Sequence, residues 1–268
     1  MIQKLAVLFW RDWLNARSYR MAFLLQILGS AVPLIVLVFM ARLFSGANVQ
    51  GISRYGGDYV AFFMLGGVVA TYSLTALSAF STGLRQSQTT GTLEVLLLTR
   101  ANLFTIMFGW ALYPFTRATI QMLLHLVVGF LVLGLQFGNA DLLAVFASFI
   151  LTIGAMVGLG LIAASFTLVF KQGDPFTAAI TTASVLVSGV FYPVDVLPTW
   201  LQGISVLIPQ THSMESMRLA LLQGYSVTDL AASLGALVIF TAVLIPTGLF
   251  SLQVALNRAR VVGSLAHY

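Results

Sequence analysis

The chain has 268 residues, of which 59% are hydrophobic and 8% charged, and its formal net charge is +5. Ordinary globular domains are about a quarter charged and about half apolar, so this composition indicates an integral membrane protein without room for a separate soluble catalytic domain. The absence of cysteine excludes a disulfide framework and a thiolate metal site.

The first predicted element is an amphipathic helix over residues 1–20. Leu5, Phe9 and Trp13 recur at helical spacing, whereas Arg11 lies elsewhere around the helix. This distribution predicts a helix that lies in the membrane interface with its apolar face in the lipid. The helix either only anchors the chain or also contacts a cytoplasmic partner.

Six apolar runs are each predicted to cross the membrane. A span needs about 20 apolar residues, and the runs lack the alternation of barrel strands. The predicted spans cover residues 21–44, 59–83, 103–135, 142–170, 175–192 and 227–256. The fold class is therefore all-α. In the fourth span, Gly154 and Gly158 form a GxxxG motif, which is typical of close helix packing.

The distribution of positive charge predicts the orientation of the chain, because Lys and Arg near span ends stay on the cytoplasmic side. The cations of the N-terminal arm, the second and fourth connections and the C-terminus are Lys4, Arg11, Arg17, Arg20, Arg85, Arg100, Lys171, Arg258 and Arg260. The opposite side has Arg42, Arg54 and Arg218. Both termini are therefore predicted to be cytoplasmic. No basic cluster with interleaved aromatics indicates nucleic-acid binding.

A short amphipathic segment over residues 91–100 follows the second span. Gly91 breaks the preceding helix, Thr92 is a suitable N-cap, and Glu94 near the start of a new helix suits the helix dipole. These residues predict a short helix along the cytoplasmic membrane surface. The chemistry alone also fits an ordinary interfacial connector.

Two spans carry hydroxyl residues at the spacing i, i+4, i+7, i+11, which keeps them on one helical face. They are Thr71, Thr75, Ser78 and Thr82 in the second span and Thr177, Thr181, Ser184 and Ser188 in the fifth. Small hydroxyl residues support close helix packing in lipid, and they also fit a narrow polar path.

The third span contains a polar ladder of Arg117, Gln121 and His125 at successive i+4 positions. A cation at the bilayer centre costs about 3 kcal/mol or more, so such residues face protein, water or the interface. The ladder is either structural or takes part in cargo contact or proton-linked gating. The three scattered histidines offer no metal-ligand spacing.

The loop over residues 192–225 is too long for a tight connection and too apolar for a soluble one. Pro193, Pro198 and Pro209 separate pieces that are too short to cross a membrane. We expect two short amphipathic helices that re-enter the outer leaflet, or else an interfacial loop packed on its neighbours.

These features together resemble the permease subunit of an ABC-2 type ABC transporter. The resemblance rests on the string Gly-Thr-Leu-Glu-x-Leu-Leu-x-Thr from Gly91 and on residues 188–201, which read Ser-Gly-Val-Phe-Tyr-Pro-Val-Asp-Val-Leu-Pro-x-Trp-Leu. It covers essentially the whole chain, including Pro209, Arg218 and Gly224.

The resemblance implies that residues 91–100 are the coupling helix, which docks in a groove of the ATPase subunit. The implied docking residues are Gly91, Thr92, Leu93, Glu94, Leu96, Leu97 and Arg100. Relatives often have charged residues just before this string, whereas this chain has an uncharged stretch over residues 86–90. Part of the charge pairing to the ATPase is therefore either missing or supplied by Arg85 and Glu94.

The resemblance also assigns the exit and the path. Residues 192–225 are similar to a re-entrant extracellular element, with Phe191, Tyr192, Pro193 and Pro198 at the exit gate. The second and fifth spans line the route in similar transporters, so the two hydroxyl stripes are expected to face each other across a dimer axis.

The implied function is that of a multi-pass permease in a prokaryotic cell membrane, exporting a hydrophobic or amphipathic cargo such as a drug, lipid or natural product. The partners are a second copy of the chain and two copies of an ATPase, which binds ATP and Mg²⁺, because this chain has no P-loop and no cofactor site. No catalytic residue is expected, since no carboxylate pair shares a membrane face. The alternatives are a lipid-linked polysaccharide or glycolipid exporter, a standalone channel or secondary carrier, and a non-transporting scaffold.

Overall fold

The computed structural model describes residues 2–18, 51–98, 103–135, 139–170 and 174–262, with the isolated positions Met21, Leu25, Gly29, Val36 and Phe39. Most of the first predicted span, residues 21–44, therefore lies outside the described residues.

The described part of the chain is helical and contains no strand. In chain order its helices are α1 (Ile2–Ser18), α2 (Tyr59–Thr89), α3 (Thr92–Leu98), α4 (Leu103–Leu133), α5 (Leu142–Phe170), α6 (Asp174–Val187), α7 (Thr199–Ser205), α8 (Pro209–Arg218) and α9 (Ala231–Val262). Two 3-10 turns, Ser53–Tyr55 and Val194–Val196, and a π-turn, Leu219–Gln223, complete it. The all-α prediction is confirmed for these residues.

Four of these helices, α2, α4, α5 and α9, are long and apolar enough to cross a membrane. They correspond to the second, third, fourth and sixth predicted spans. Helix α2 has 31 residues, or about 46 Å at 1.5 Å per residue, so it is longer than a hydrocarbon core of about 30 Å. It continues to Thr89, beyond the predicted end at residue 83.

The fifth predicted span, residues 175–192, is represented by α6, which has only 14 residues. The helix ends at Val187 because Ser188 and Gly189 form a turn, and Gly189 has the left-handed φ of 76° that favours glycine. At about 21 Å, α6 is shorter than a membrane core. A crossing by this part of the chain stays a prediction.

Carboxylates define the starts of two spans. The side chain of Asp58 accepts hydrogen bonds from the amides of Val60 and Ala61 at 2.8 and 3.3 Å, at the start of α2. The side chain of Asp141 accepts from the amide of Ala144 at 2.9 Å, at the start of α5. Each acid satisfies amides that the helix leaves unpaired and lies at the positive end of the helix dipole.

Helix α5 is the centre of the bundle, because it packs against both α2 and α9. A Cβ on Gly154 would lie 2.7 Å from Cγ2 of Thr241, and one on Gly158 would lie 2.6 Å from the backbone of Leu244. Both neighbours belong to α9. The prediction that this GxxxG motif marks close helix packing is confirmed.

The N-terminal helix α1 packs on α4. The ring of Phe9 lies 6.4 Å from the ring of Trp13 and 6.4 Å from that of Tyr113 in α4, which places the predicted apolar face against the bundle. Trp10 and Val7 are exposed on the other side of the helix. The predicted helix over residues 1–20 is thus observed as far as Ser18, and its position in the membrane interface stays a prediction.

Two core clusters mark opposite ends of the bundle, which we call the α3 end and the α8 end. At the α3 end, one cluster joins five helices through Phe80, Leu93, Trp110, Leu161 and Leu252. At the α8 end, a second cluster contains Ile52, Tyr55, Phe62, Ala144, Leu219 and Leu234, among others.

Candidate functional site

The turn between α2 and α3 is fixed by threonine hydroxyls. The hydroxyl of Thr90 donates to the carbonyl of Gln86 at 2.8 Å and lies 2.9 Å from the hydroxyl of Thr92. The hydroxyl of Thr92 also donates to the carbonyl of Ser87 at 3.4 Å. Thr92, predicted to cap α3, therefore ties α3 back to the end of α2. Gly91 takes a left-handed φ of 66° in this turn.

Helix α3 has one face in the protein core and one exposed face. Leu93 is 1% exposed and belongs to the core cluster at this end, and Leu96 packs against that cluster. Val95 and Leu98 are 64% and 86% exposed, and their i, i+3 spacing puts them on one face. The expectation that Leu93 and Leu96 seat the helix in a partner is not met, because both side chains point toward their own chain.

Of the remaining residues of this predicted site, the structure describes only some. Gly91 and Thr92 are exposed. Arg100 and the side chains of Glu94 and Leu97 lie outside the described parts of the chain. The exposure of Val95 and Leu98 was not predicted from the sequence. Residues 93–98 have apolar side chains on both faces of the helix, and only the attachment of α3 to α2 decides which face is exposed.

At the α8 end, Arg218 joins three elements. It is 2% exposed, and its Nε donates to the carbonyl of Phe62 in α2 at 3.1 Å. Its two terminal nitrogens donate to the carbonyls of Gly189 and Val190, at 2.7 and 2.6 Å. The guanidinium carbon lies 3.5 Å from the centre of the Phe62 ring, a cation-π contact.

These two carbonyls explain why an arginine is stable in such a buried place. Gly189 and Val190 follow the C-terminal end of α6, where backbone carbonyls lack helical partners and the helix dipole is negative. Burial lowers the pKa of the Arg218 guanidinium to about 9, so the side chain is still charged at neutral pH. Gly66 of α2 faces this contact, and a Cβ there would collide with the Val190 carbonyl and Arg218.

One turn earlier on α8, Glu215 joins two further elements. Its Oε1 accepts from Nη2 of Arg54 at 2.5 Å, and its Oε2 accepts from the hydroxyl of Ser233 at 3.1 Å. Arg54 belongs to the turn before α2, and Ser233 to the first turn of α9. We call Arg54, Glu215 and Arg218 the α8 clamp, because together they connect α8 to α2, α6, α9 and the loop before α2.

A cavity of about 150 Å³ lies beside the α8 clamp. Its wall includes Tyr55, Asp195, Thr211 and His212 together with the clamp residues. Nε2 of His212 is 2.9 Å from the carbonyl of Val206, and the buried hydroxyl oxygen of Thr211 has no hydrogen-bond partner among the described residues. The cavity wall therefore contains polar and charged side chains, in contrast to the apolar cluster at the α3 end of the bundle.

The predicted exit-gate residues are brought to this same end. The ring of Phe191 lies 5.0 Å from that of Phe63, the hydroxyl of Tyr192 donates to the carbonyl of Leu186, and Pro193 is buried in the cavity wall. Pro198 immediately precedes α7. The two short helices expected between residues 192 and 225 are observed as α7 and α8, and their re-entry into the membrane stays a prediction.

The two hydroxyl stripes differ in their surroundings. In α2, the hydroxyls of Thr71, Thr75 and Ser78 donate to the carbonyl four residues earlier at 2.8, 2.9 and 2.8 Å, and Thr82 is exposed.

In the second stripe, Thr177 and Thr181 of α6 are half-buried, whereas Ser184 of α6 and Ser188 in the turn after it are 4% and 0% exposed. These two serines are enclosed by their own chain and cannot line a path in this conformation. Their role on the translocation path is therefore not supported.

The polar ladder of α4 does not form a continuous surface. Arg117 is exposed, Gln121 is half-buried and His125 is 7% exposed, so the ladder turns from the surface into the protein. A contact that the sequence missed lies nearby, where the hydroxyls of Tyr72 and Thr119 are 3.1 Å apart. Within the described ranges, no cluster of three or more His, Asp or Glu could hold a metal ion.

Comparison with known proteins gives a family match over most of the chain. The profile of the ABC-2 type transporter family matches residues 3–222. The chain is 28% identical over 229 residues to nodulation protein J of Neorhizobium galegae, which covers 84% of this chain and 83% of that protein.

Two further relatives are longer proteins. The linearmycin resistance permease protein LnrN of Bacillus subtilis strain 168 is 29% identical over 202 residues, which are 75% of this chain and 49% of that protein. The probable multidrug ABC transporter permease YbhR of Escherichia coli K12 is 25% identical over 175 residues, which are 65% and 47% of the two chains. This chain therefore matches about half the length of each of these two relatives.

Proposed function

This chain belongs to the ABC-2 type transporter family, and on that premise we propose that it exports an amphipathic cargo with energy supplied through α3 by a separate ATPase. The family consists of membrane permeases, and the four apolar helices agree with a place in the membrane. ATP and Mg²⁺ would bind to the ATPase subunit. The working assembly would be two copies of this chain with two ATPase subunits.

The observation that carries this proposal is the two-faced packing of α3. Leu93 joins α3 to side chains of α2, α4, α5 and α9 in one core cluster, whereas Val95 and Leu98 remain exposed. Because close-packed side chains transmit displacement, a partner that moves the exposed face also moves the ends of four membrane helices. An ordinary surface connector does not need such an attachment.

We assign docking to Val95 and Leu98, which replace Leu93 and Leu96 in this role. Burying an aliphatic side chain contributes about 1.5–3 kcal/mol, and apolar anchors near the centre of an interface often dominate its affinity. Gly91 and Thr92 keep their place at the exposed edge of the site. Glu94, Leu97 and Arg100 remain proposed docking residues, and this assignment rests on the sequence resemblance.

The α8 end is proposed as the exit side. The clamp holds the end of α6 against α2, so a path that opens between these helices requires α8 to move or to release the Gly189 and Val190 carbonyls. Phe191, Tyr192, Pro193 and Pro198 lie at this boundary. The stripe positions of α2 remain the proposed path residues, and they are the half-buried Thr71, Thr75 and Ser78 and the exposed Thr82.

The amphipathic cargo is supported by the apolar bundle, by the polar cavity at one end, and by two relatives. One of them is named for linearmycin resistance and the other as a probable multidrug transporter permease. Concave, mostly apolar sites with a few polar groups suit ligands of mixed character.

The proposal is tested by Leu98→Asp in the permease co-expressed with its ATPase. We expect the variant to insert normally but to lose co-purification with the ATPase and stimulation of ATP hydrolysis. Val261→Asp is the matched control, because Val261 is an aliphatic residue, 89% exposed, at the same end of the bundle. If Leu98→Asp retains a fully coupled ATPase, or if the wild-type chain binds no ATPase after gentle solubilisation, the proposal is wrong.

A further inference from the structure

The cavity beside the α8 clamp is surrounded by charges of both signs. Its wall contains four charged groups, which are Arg54, Asp195, Glu215 and Arg218. Two of the groups are positive and two are negative. A ligand with a large net charge of either sign would therefore be repelled by half of them.

The charges in this wall are only partly paired within the chain. Arg54 and Glu215 form an ion pair at 2.5 Å. Arg218 donates to three backbone carbonyls, and within the described residues neither Arg218 nor Asp195 has an oppositely charged side chain within ion-pair distance. One cation and one carboxylate of the cavity thus have no counter-ion.

Some hydrogen-bonding groups in the cavity wall also have no partner among the described residues. A guanidinium has five N–H donors, and three of those of Arg218 have carbonyl partners. The buried hydroxyl oxygen of Thr211 has no partner among the described residues. Buried polar groups are nearly always satisfied in folded proteins, so these groups favour a polar occupant.

We propose that this cavity binds a zwitterionic head group, with the anionic part beside Arg218 and the cationic part beside Asp195. This arrangement gives each unpaired charge a counter-ion and leaves the Arg54 and Glu215 pair intact. The inference rests on the proposed function, because it narrows the cargo to amphiphiles whose head carries both charges, as an aminoalkyl phosphate does. The cavity of about 150 Å³ has room for a small head group.

The natural absence of cysteine makes a labelling experiment direct. Val206 lines the cavity and is 58% exposed, whereas Val196 lies outside the wall and is 59% exposed. Val206→Cys is the reporter and Val196→Cys its matched control, each in the purified full chain and labelled with a membrane-impermeant maleimide. The probe is dihexanoylphosphatidylethanolamine.

Labelling measures the unoccupied fraction, so a probe at about ten times its Kd slows labelling of Val206→Cys about tenfold. Labelling of Val196→Cys is expected not to change. Dihexanoylphosphatidylglycerol, which has only the anionic charge, and an alkyltrimethylammonium, which has only the cationic one, are expected to protect much less. Adding Asp195→Asn to the reporter is expected to remove the preference for the zwitterion.

Glycerophosphoethanolamine, which lacks acyl chains, separates the contribution of the head group from that of the chains. We expect it to protect Val206→Cys at a higher concentration, with the same dependence on Asp195. The inference is overturned by equal protection with the anionic and zwitterionic probes, by protection that survives Asp195→Asn, or by no protection at all. Because no ATPase is present, such a failure leaves the export proposal and the Leu98→Asp test unaffected.

Discussion

The α3 end and the α8 end of the molecule both contain an apolar cluster, but only the α8 end adds buried charged contacts among the described residues. At the α3 end, five helices meet through apolar side chains such as Leu93, Trp110 and Leu252. At the α8 end, an apolar cluster that includes Phe62 and Leu219 is supplemented by directed hydrogen bonds and one ion pair from Arg218 and Glu215.

This difference suits two different tasks. Apolar packing is non-directional and dense, so it transmits a displacement applied from outside. A set of charged hydrogen bonds depends steeply on geometry, so it is either formed or broken. We therefore associate the α3 end with the input of motion and the α8 end with a contact that has two discrete states.

The largest effect is expected from Arg218→Met. The change leaves the Gly189 and Val190 carbonyls without donors, and because each buried orphan costs about 1–3 kcal/mol, we expect a loss of about 4 kcal/mol in unfolding free energy. Thermal unfolding followed by tryptophan fluorescence measures it. Arg117→Met is the control, since Arg117 is exposed. Equal unfolding temperatures for the two variants would contradict the clamp.

Leu93→Ala is expected to have the next largest effect. Truncation of a buried leucine costs about 2–5 kcal/mol, and we expect about 3 kcal/mol here because Leu93 is 1% exposed. Leu98→Ala, at an 86% exposed position, is expected to change stability by less than about 0.5 kcal/mol. Unfolding curves of the two variants test the orientation of α3, and the reverse order would show that its inner and outer faces are exchanged.

The sequence predicts the position of α3 in the chain but not the rotation of this helix about its own axis. The glycine, threonine and glutamate at its start were sufficient to place a short helix after the second span. The rotation could not be predicted, because Leu93, Val95, Leu96 and Leu98 give apolar side chains to both faces. The core contact of Leu93 depends on side chains from four other helices, and helical periodicity contains no information about them.

The contacts of the α8 clamp could not be predicted from the sequence for a related reason. Arg218 and Phe62 are 156 residues apart in the chain, and their contact involves a backbone carbonyl, which leaves no signature in side-chain chemistry. The hydroxyl spacing over residues 177–188 predicts a shared helical face. It did not predict that the C-terminal part of this face, at Ser184 and Ser188, is enclosed by the same chain.

Gly66→Ala is expected to destabilise the α8 end by a smaller amount. A Cβ at this position collides with the Val190 carbonyl and Arg218, and such overpacking costs about 1–3 kcal/mol. Gly235→Ala is the control, because nothing lies within 4 Å of its Cβ position and alanine favours the helix. A Gly66→Ala protein as stable as the control would show that α2 and the end of α6 are not in close contact.

The smallest effect is expected from Thr75→Val in α2. Among the described residues, its hydroxyl bonds only to the carbonyl of Thr71 in its own helix, at 2.9 Å. Polar contacts in lipid contribute about 0.6 kcal/mol on average, so the free energy of unfolding should fall by no more than that. Ser184→Val, at a 4% exposed position, should cost about 1–3 kcal/mol by overpacking. Cargo efflux, measured together with the unfolding curves, separates a role in the path from a role in packing. Only Thr75→Val should alter efflux with little change in the free energy of unfolding.

The glycine contacts of α5 limit which parts of the protein can move. Gly158 lets the backbone of α9 approach α5, and Gly154 makes room for the Thr241 side chain of α9. Gly160 lets the backbone of α2 approach, since a Cβ there would lie 2.7 Å from the Leu77 carbonyl. Sliding these helices past one another would force side chains through the closest contacts in the bundle. We therefore expect helices α2, α5 and α9 to shift together when the α3 end is displaced, instead of sliding past one another.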